Sequence, residues 1–453
     1  MTTEQVEAKV RETLHAVDLD GVRAPGDLVE RVVRRRGRRR FSQAAGATVA
    51  VVAIAAGAVF GLGDGGAGGH ERPARPAATR PATPPDGWKP WQGEIRGAGE
   101  RGCLVDGGAL YCAGSRYDVA KFDAGTGKRQ WTVAVNREGG GIDHPFAARD
   151  GVVYAYRNHT AENLPDGDYA GGTDLMAVDG GSGEVLWKAE MPQDDRTGQA
   201  ALLIDGAVLA NTPTIRTMSA LDPHTGAEKW RFSWAKGTVC ERAAVSGVPH
   251  LLCTRDTEEP HDTDVLRLDP ATGRATKVTT LDGRADLVGT SGGRMVLLAS
   301  KGGAGKNLRL ITVSGSGKQT SWPYRVGPLA ALEVAGDRVV SLSRQGAASV
   351  FSLSAGRSLW TRPAGVEVPG PDAFAQAVSP VVSERQGVVY FADDTGNLSA
   401  LDLLTGERVW RGHADIGTPG SGSAGSPQLL LHEDALIVRN GPRTVSLLPR
   451  TGG

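Results

Sequence analysis

"LSALDLLTGERVW", Leu398 to Trp410, runs small and apolar residues up to Asp402, reverses at Thr405-Gly406 and closes on Trp410. The same outline stands upstream in "VAKFDAGTGKRQW" (Val119 to Trp131), "LMAVDGGSGEVLW" (Leu175 to Trp187) and "MSALDPHTGAEKW" (Met218 to Trp230). Asp123, Asp179 and Asp222 take the place of Asp402, and Trp131, Trp187 and Trp230 that of Trp410. Weaker copies follow. "VLRLDPATGRATK" (Val265 to Lys277) keeps Asp269 without the Trp, "LITVSGSGKQTSW" keeps Trp322 without the Asp, and "VFSLSAGRSLW" keeps Trp360 after a shortened turn. An eighth copy, "VSLLPRTGG" (Val445 to Gly453), has no Trp.

Ahead of each copy lies a second mark, a turn residue followed by an apolar run: "GALYC" at Gly108, "GVVYAY" at Gly151, "GVVYFA" at Gly387 and their equivalents. The spacing fits the ~40 to 50 residues of a four-stranded blade. Short β-branched runs with period-two patterning and regular turn signals read as radially repeated β structure rather than βαβ units. The expected fold is therefore all-β: an eight-bladed β-propeller of four-stranded blades over residues 88–453, with a seven-bladed ring as the alternative because copies five and six are degenerate.

The repeated residues have structural work to do. An Asp or Ser before the turn accepts backbone N–H groups, Gly after Thr is free to take positive φ, and a Trp fills the space between blades. "GWKPWQGEI" (Gly87 to Ile95) contains a further strand-like run and the Trp88/Trp91 pair. It is predicted to supply the strand that the eighth copy lacks and so to close the ring, removing exposed sheet edges.

The chain of 453 residues carries 51 Lys+Arg against 51 Asp+Glu, which excludes a general polyanion-binding role for the main domain. Its charge is not evenly spread. Arg31, Arg34, Arg35, Arg36, Arg38, Arg39 and Arg40 crowd together just before "FSQAAGATVAVVAIAAGAVFGLG" (Phe41 to Gly63), which has no charged residue. That stretch meets the ~20 residues needed to span a bilayer. Arginines on its N-terminal side place residues 1–41 in the cytoplasm, as a short basic segment, and the propeller on the extracytoplasmic side. The expectation is one transmembrane helix at 42–63 in the cell membrane, with a cleaved signal peptide as the competing reading. Residues 64–87, Gly-rich and then Pro/Ala/Arg-rich, are expected to form a linker.

Four cysteines occur. A two-residue loop at Gly107-Gly108 sets Cys103 opposite Cys112, and one at Ser246-Gly247 sets Cys240 opposite Cys253. Cross-strand neighbours lie about 4.5 to 5.5 Å apart at Cβ, close to disulfide geometry, so two hairpin disulfides are expected. Four buried free thiols are the competing reading, and a zinc site lacks both CxxC spacing and a nearby His pair. Disulfides agree with an oxidising compartment.

The motif A-L-D-x-x-T-G-x-x-x-W preceded by G-x-V-Y resembles the tryptophan-docking repeat of the pyrroloquinoline-quinone (PQQ)-like β-propellers. That group includes quinoprotein alcohol dehydrogenases and the non-enzymatic propeller of the outer-membrane β-barrel assembly machinery. The resemblance covers residues 88–453 and implies the fold more strongly than any activity. Quinoprotein dehydrogenases place adjacent cysteines over their cofactor, and this sequence has no Cys-Cys pair. No catalytic, cofactor-binding or metal-binding residue is therefore assigned, and no cofactor is expected. The acidic stretch "PHDTD" (Pro260 to Asp264) offers oxygen ligands but reads first as a solvated loop.

In a propeller the Thr-Gly turns emerge on one face, and the b–c and inter-blade loops on the other. The irregular insertions at 157–173, 255–264, 301–307, 362–376 and 412–427 would gather on that second face, the usual mark of a binding surface. The expected function is a non-catalytic binding or scaffolding module whose loop-rich face takes an unidentified protein or small ligand, with no nucleic acid partner. The alternatives are an envelope sensor signalling through residues 1–41 and a PQQ-dependent dehydrogenase.

Overall fold

The computed structural model of the chain describes residues 80–95, 102–114, 116–134, 145–163, 169–191, 201–257, 261–300, 307–368, 377–417 and 427–450, with side chains at 157–173 not described. Its strands form eight four-stranded antiparallel sheets, seven of them with strands paired in sequence order and the eighth completed by the first strand, Trp91–Glu94. The blades are 1 (103–134), 2 (145–191), 3 (201–233), 4 (238–281), 5 (284–323), 6 (329–363), 7 (381–413) and 8 (428–447 plus Trp91–Glu94). Strands are lettered a to d outward from the axis. The a strands of successive blades touch one another around the centre, as in the contacts from blade 4 to 5 and from blade 8 to 1.

The eight-bladed expectation holds, and the seven-bladed alternative fails because degenerate blades 5 and 6 are complete. Their weaker motifs retain enough alternation to pair: Leu308–Ser314 and Ala347–Ser352 bury most of their length. Ring closure also follows the sequence. Trp91–Glu94 pairs antiparallel with the c strand of blade 8, Trp91 opposite Ser446 and Glu94 opposite Arg443, so chain beginning and chain end share one sheet.

Strands b and c are apolar on both faces because each blade is sandwiched between two neighbours. Ala207–Ala210 and Val388–Ala392 are buried throughout. The outermost strands alternate, as in Glu228–Ser233, where Trp230 points inward and its neighbours meet solvent. Sealed cores between blades result, such as the one joining Val152, Trp187, Ala201 and Leu221 of blades 2 and 3.

One expectation shifts. Residues 80–87, assigned to the linker, lie on the propeller with Pro85 buried, because a Pro-rich segment with fixed φ costs little entropy to dock. The expected transmembrane helix at 42–63 lies outside the described residues, and no helix among the described residues is long and apolar enough to cross a membrane.

Candidate functional site

The repeated aspartates cap the turns that follow them. Asp402 Oδ1 accepts the backbone N–H of Leu404 (2.9 Å) and Thr405 (2.8 Å) and the Thr405 hydroxyl (3.1 Å). Asp222 and Asp269 repeat this with Thr225 and Thr272, and Asp179 does so with Ser182. Asp123 takes the Thr126 hydroxyl at 2.7 Å. These donors favour the charged form, so the carboxyls of Asp179 and Asp269 sit below their ordinary range. Asp222, with the Lys229 ammonium as its strongest partner, falls to about 2.

The tryptophans pin each blade to the next. The indole N–H donates to the carbonyl of the residue after the capping Asp of the following blade: Trp131 to Gly180 (3.1 Å), Trp187 to Pro223 (2.8 Å), Trp230 to Pro270 (2.7 Å) and Trp360 to Leu403 (3.1 Å). The ring covers the glycine of the same turn. Gly226 has φ +70°, and a Cβ there would stand 2.8 Å from the Trp187 ring, so only glycine fits twice over. Trp322 meets Gly356 in the same way. At the closing seam the pin is Trp91, whose indole donates to Ala124 at 3.0 Å. Trp410 packs edge-on against Tyr390 at 6.4 Å, and the turn it would meet lies outside the described residues. Aspartates and tryptophans thus sit in one ring of turn–turn contacts rather than converging on a site.

Cys103–Cys112 and Cys240–Cys253 are disulfides, each with a Cα–Cα distance of 4.1 Å, between directly paired residues of strands a and b. Gln428 of blade 8 donates to the Cys103 carbonyl and accepts from its N–H, both at 2.8 Å, and so seals the closing seam beside the first disulfide.

Sequence reasoning passed over a charged group at the axis. Glu241, in the a strand Thr238–Val245, accepts the N–H of Leu287 from the a strand of blade 5 at 2.9 Å. Burial pushes its carboxyl up to about 7 against that hydrogen bond, and the nearby Asp286 adds to the rise. Asp286 pairs with Arg284 at 3.1 Å. The signal was present: Glu241-Arg242 interrupts an otherwise apolar strand, and a charge there needs a partner.

On the face opposite the turns, long connections leave the described strands between Pro363 and Val381 and between His413 and Gln428. Between them opens a cleft of about 400 Å³ lined by Gly365, Val366, Glu367, Asp393, Asn397, Leu398, Arg411 and Gly412. Asp393 forms its floor and is fully engaged, accepting from Thr395, from Asn397 and from the Glu367 N–H. These donors outweigh its burial and keep the carboxyl low. The side chains of Glu367 and Arg411 make no hydrogen bond or ion pair among the described residues. The cleft can therefore hold polar groups of either sign non-covalently. A smaller cleft of about 200 Å³ on the turn face lies between blades 2 and 3, beside Tyr154, Pro223 and Lys229.

The acidic stretch near residue 260 is occupied where it is described. Asp262 accepts the Gly283 N–H at 3.0 Å, and Asp264 pairs with Lys277 at 2.7 Å. No group of three metal-capable side chains stands together among the described residues.

A likeness to the serine/threonine-protein kinase AfsK of Streptomyces griseus extends over 202 residues at 32% identity, 38% of this chain. The match spans 24% of the kinase's length. Among solved structures, BamB from Moraxella catarrhalis is similar at 16% identity and TM-score 0.45, over 79% of this chain and 100% of that one. A quinohemoprotein alcohol dehydrogenase from Pseudomonas putida is similar at 12% identity and TM-score 0.48, over 83% and 77%. The family model described as outer membrane protein assembly factor BamB matches residues 115–323 and 261–453. With most of the propeller covered by that model, and with its repeat chemistry in place, this chain belongs to the BamB/PQQ-like β-propeller family.

Proposed function

We propose that this chain is a non-catalytic binding propeller, carried on the extracytoplasmic side of the membrane by one N-terminal helix, which takes a protein or small ligand on its loop-rich face. The observation that carries this reading is the different state of the two faces. On the turn face the repeated polar side chains are consumed by capping and pinning. On the loop-rich face Glu367 and Arg411 line an open cleft with their charges unspent among the described residues.

Photocrosslinking amino acids at Arg325 and Arg411 on the loop-rich face, and at Lys318 on the turn face, test the reading in native membranes. Crosslinks from the first two positions and none from the third are expected. The reverse pattern sinks it. Incubation with PQQ and Ca²⁺ tests the non-catalytic claim; stoichiometric uptake with alcohol-dependent dye reduction would overturn it.

The likeness to a protein kinase favours a second reading, in which the propeller receives a signal that residues 1–41 pass to a cytoplasmic regulator. Co-purification of a regulator with the full chain, lost when residues 1–41 are removed, is the result this reading requires.

A further inference from the structure

The segment 80–90 reaches the propeller by a defined path. The Thr83 N–H donates to Asp434 Oδ2 at 2.8 Å, in the a–b turn of blade 8 and therefore beside the central channel. Asp434 Oδ1 is held at the same time by Arg385 of blade 7 at 2.8 Å, so the acceptor is fixed. The chain folds back where Trp88 N–H donates to the Pro85 carbonyl at 3.0 Å, with Gly87 at φ +71°. Trp88 Nε1 then donates to Ser446 at 2.9 Å, and Lys89 N–H to the carbonyl of Gly125 in the c–d turn of blade 1 at 3.3 Å. From there Trp91–Glu94 runs toward the other face as the outer strand of blade 8. Every one of these contacts lies on, or at the edge of, the turn face.

We propose that residues 80–90 form a strap that hangs the propeller from near the centre of its turn face, so that this face is turned to the membrane and the loop-rich face is presented away from it. The proposal rests on the anchored reading above. Strands stand about 4.8 Å apart and rise about 3.3 Å per residue, so passing from the channel mouth around the rim to the opposite face takes roughly 35 Å. A flexible chain as long as residues 64–79 has an r.m.s. span of about 22 Å and a limit near 55 Å, and the Pro/Ala/Arg-rich part of this stretch only stiffens it. Presenting the loop-rich face to the membrane would require that stretch to span about one and a half times its r.m.s. length, at an entropic cost, whereas the strapped orientation requires no such extension. A strap attached at the rim or on the loop-rich face would give no such bias. The partner of the loop-rich face would then arrive from the side away from this membrane, rather than from within it.

The test uses the full-length chain in proteoliposomes, carrying a fluorophore at Arg274→Cys on the turn face or at Lys236→Cys on the loop-rich face. Both positions are exposed and flank the same blade. Energy transfer to an acceptor on the lipid headgroups should be several-fold greater from position 274 than from 236. Trp88→Ala, which removes one strap contact but leaves the Trp91 pin, should reduce that ratio while circular dichroism stays unchanged. Equal transfer from both positions, or greater transfer from 236, overturns the proposal. Failure of the protein to float with the vesicles overturns the anchored reading and the proposal with it; flotation with equal transfer overturns the proposal alone.

Discussion

Between blades 3 and 4, Trp230 lays its ring over Gly273 and donates its indole N–H to Pro270 at 2.7 Å. Between blades 4 and 5 no tryptophan exists. Lys277 stands in its place and turns outward to Asp264, while Val278 lies against Gly317. Ser314, in place of the Asp, accepts the Lys318 N–H at 3.1 Å. The load moves inward at this seam. His250 is buried where a Cβ on Gly315 would touch it, Glu241 caps Leu287 at the axis, and an apolar cluster from Ala243 to Val313 bridges the two blades. One seam is held by a repeated aromatic pin at the rim of the turns, the other by irregular packing and a half-buried carboxyl. The repeat motif is thus one solution to blade contact, and it can be dropped where the inner strands pack well.

Four measurements can break or sharpen this contrast. Trp230→Ala should cost about 4 kcal/mol in denaturant unfolding, the range for a large buried aromatic, and Val278→Ala about 1 kcal/mol. Equal losses would erase the distinction between the seams. Serine in place of both Cys240 and Cys253 should cost about 3 kcal/mol, showing how far the covalent link inside blade 4 supports a blade with only one pinned seam. Thermal melts with and without reductant provide the check.

The axial carboxyl makes the unpinned seam pH-sensitive. Glu241 titrates near 7 in the folded chain, above its ordinary value of 4.5, so the folded state holds a proton that the unfolded state has released. Its contribution is complete below about pH 4.5 and is lost as pH rises through 7. Glu241→Gln keeps an acceptor for Leu287, and should flatten a decline in stability of about 2 kcal/mol between pH 5 and 8. An unchanged pH profile would remove Glu241 from the seam's account. The smallest effect belongs to the caps: Asp269→Ala should lower the unfolding midpoint less than any change above, as the loss of a cap at an exposed turn does, and Asp222→Ala should also weaken the stability loss that sets in as pH falls below 4.

Particular residues show how much of this was legible. The Asp, Thr-Gly and Trp spacing gave the blades their phase because each position answers to a local requirement of turn or pin. Cys103 opposite Cys112 and Cys240 opposite Cys253 followed from counting outward from two-residue turns, since antiparallel register is set by loop length. The assignment of Trp91 rather than Trp88 to the closing pin was not legible, as both precede a strand-like run and only docking on Gly127 separates them. Nor was the cleft, whose lining joins Glu367 to Arg411 across two blades.

The sequence by itself determined the propeller architecture, the closing strand and the facing of the two cysteine pairs, because these depend on interactions repeated at short and regular separation, whereas the choice of eight blades over seven came from the complete pairing of blades 5 and 6. Only the tertiary structure decided how residues 80–90 cross the turn face, how the unpinned seam is filled and where charged side chains are left free to meet a ligand. Those outcomes rest on contacts between residues up to 358 positions apart, such as Trp88 with Ser446, for which periodicity carries no information.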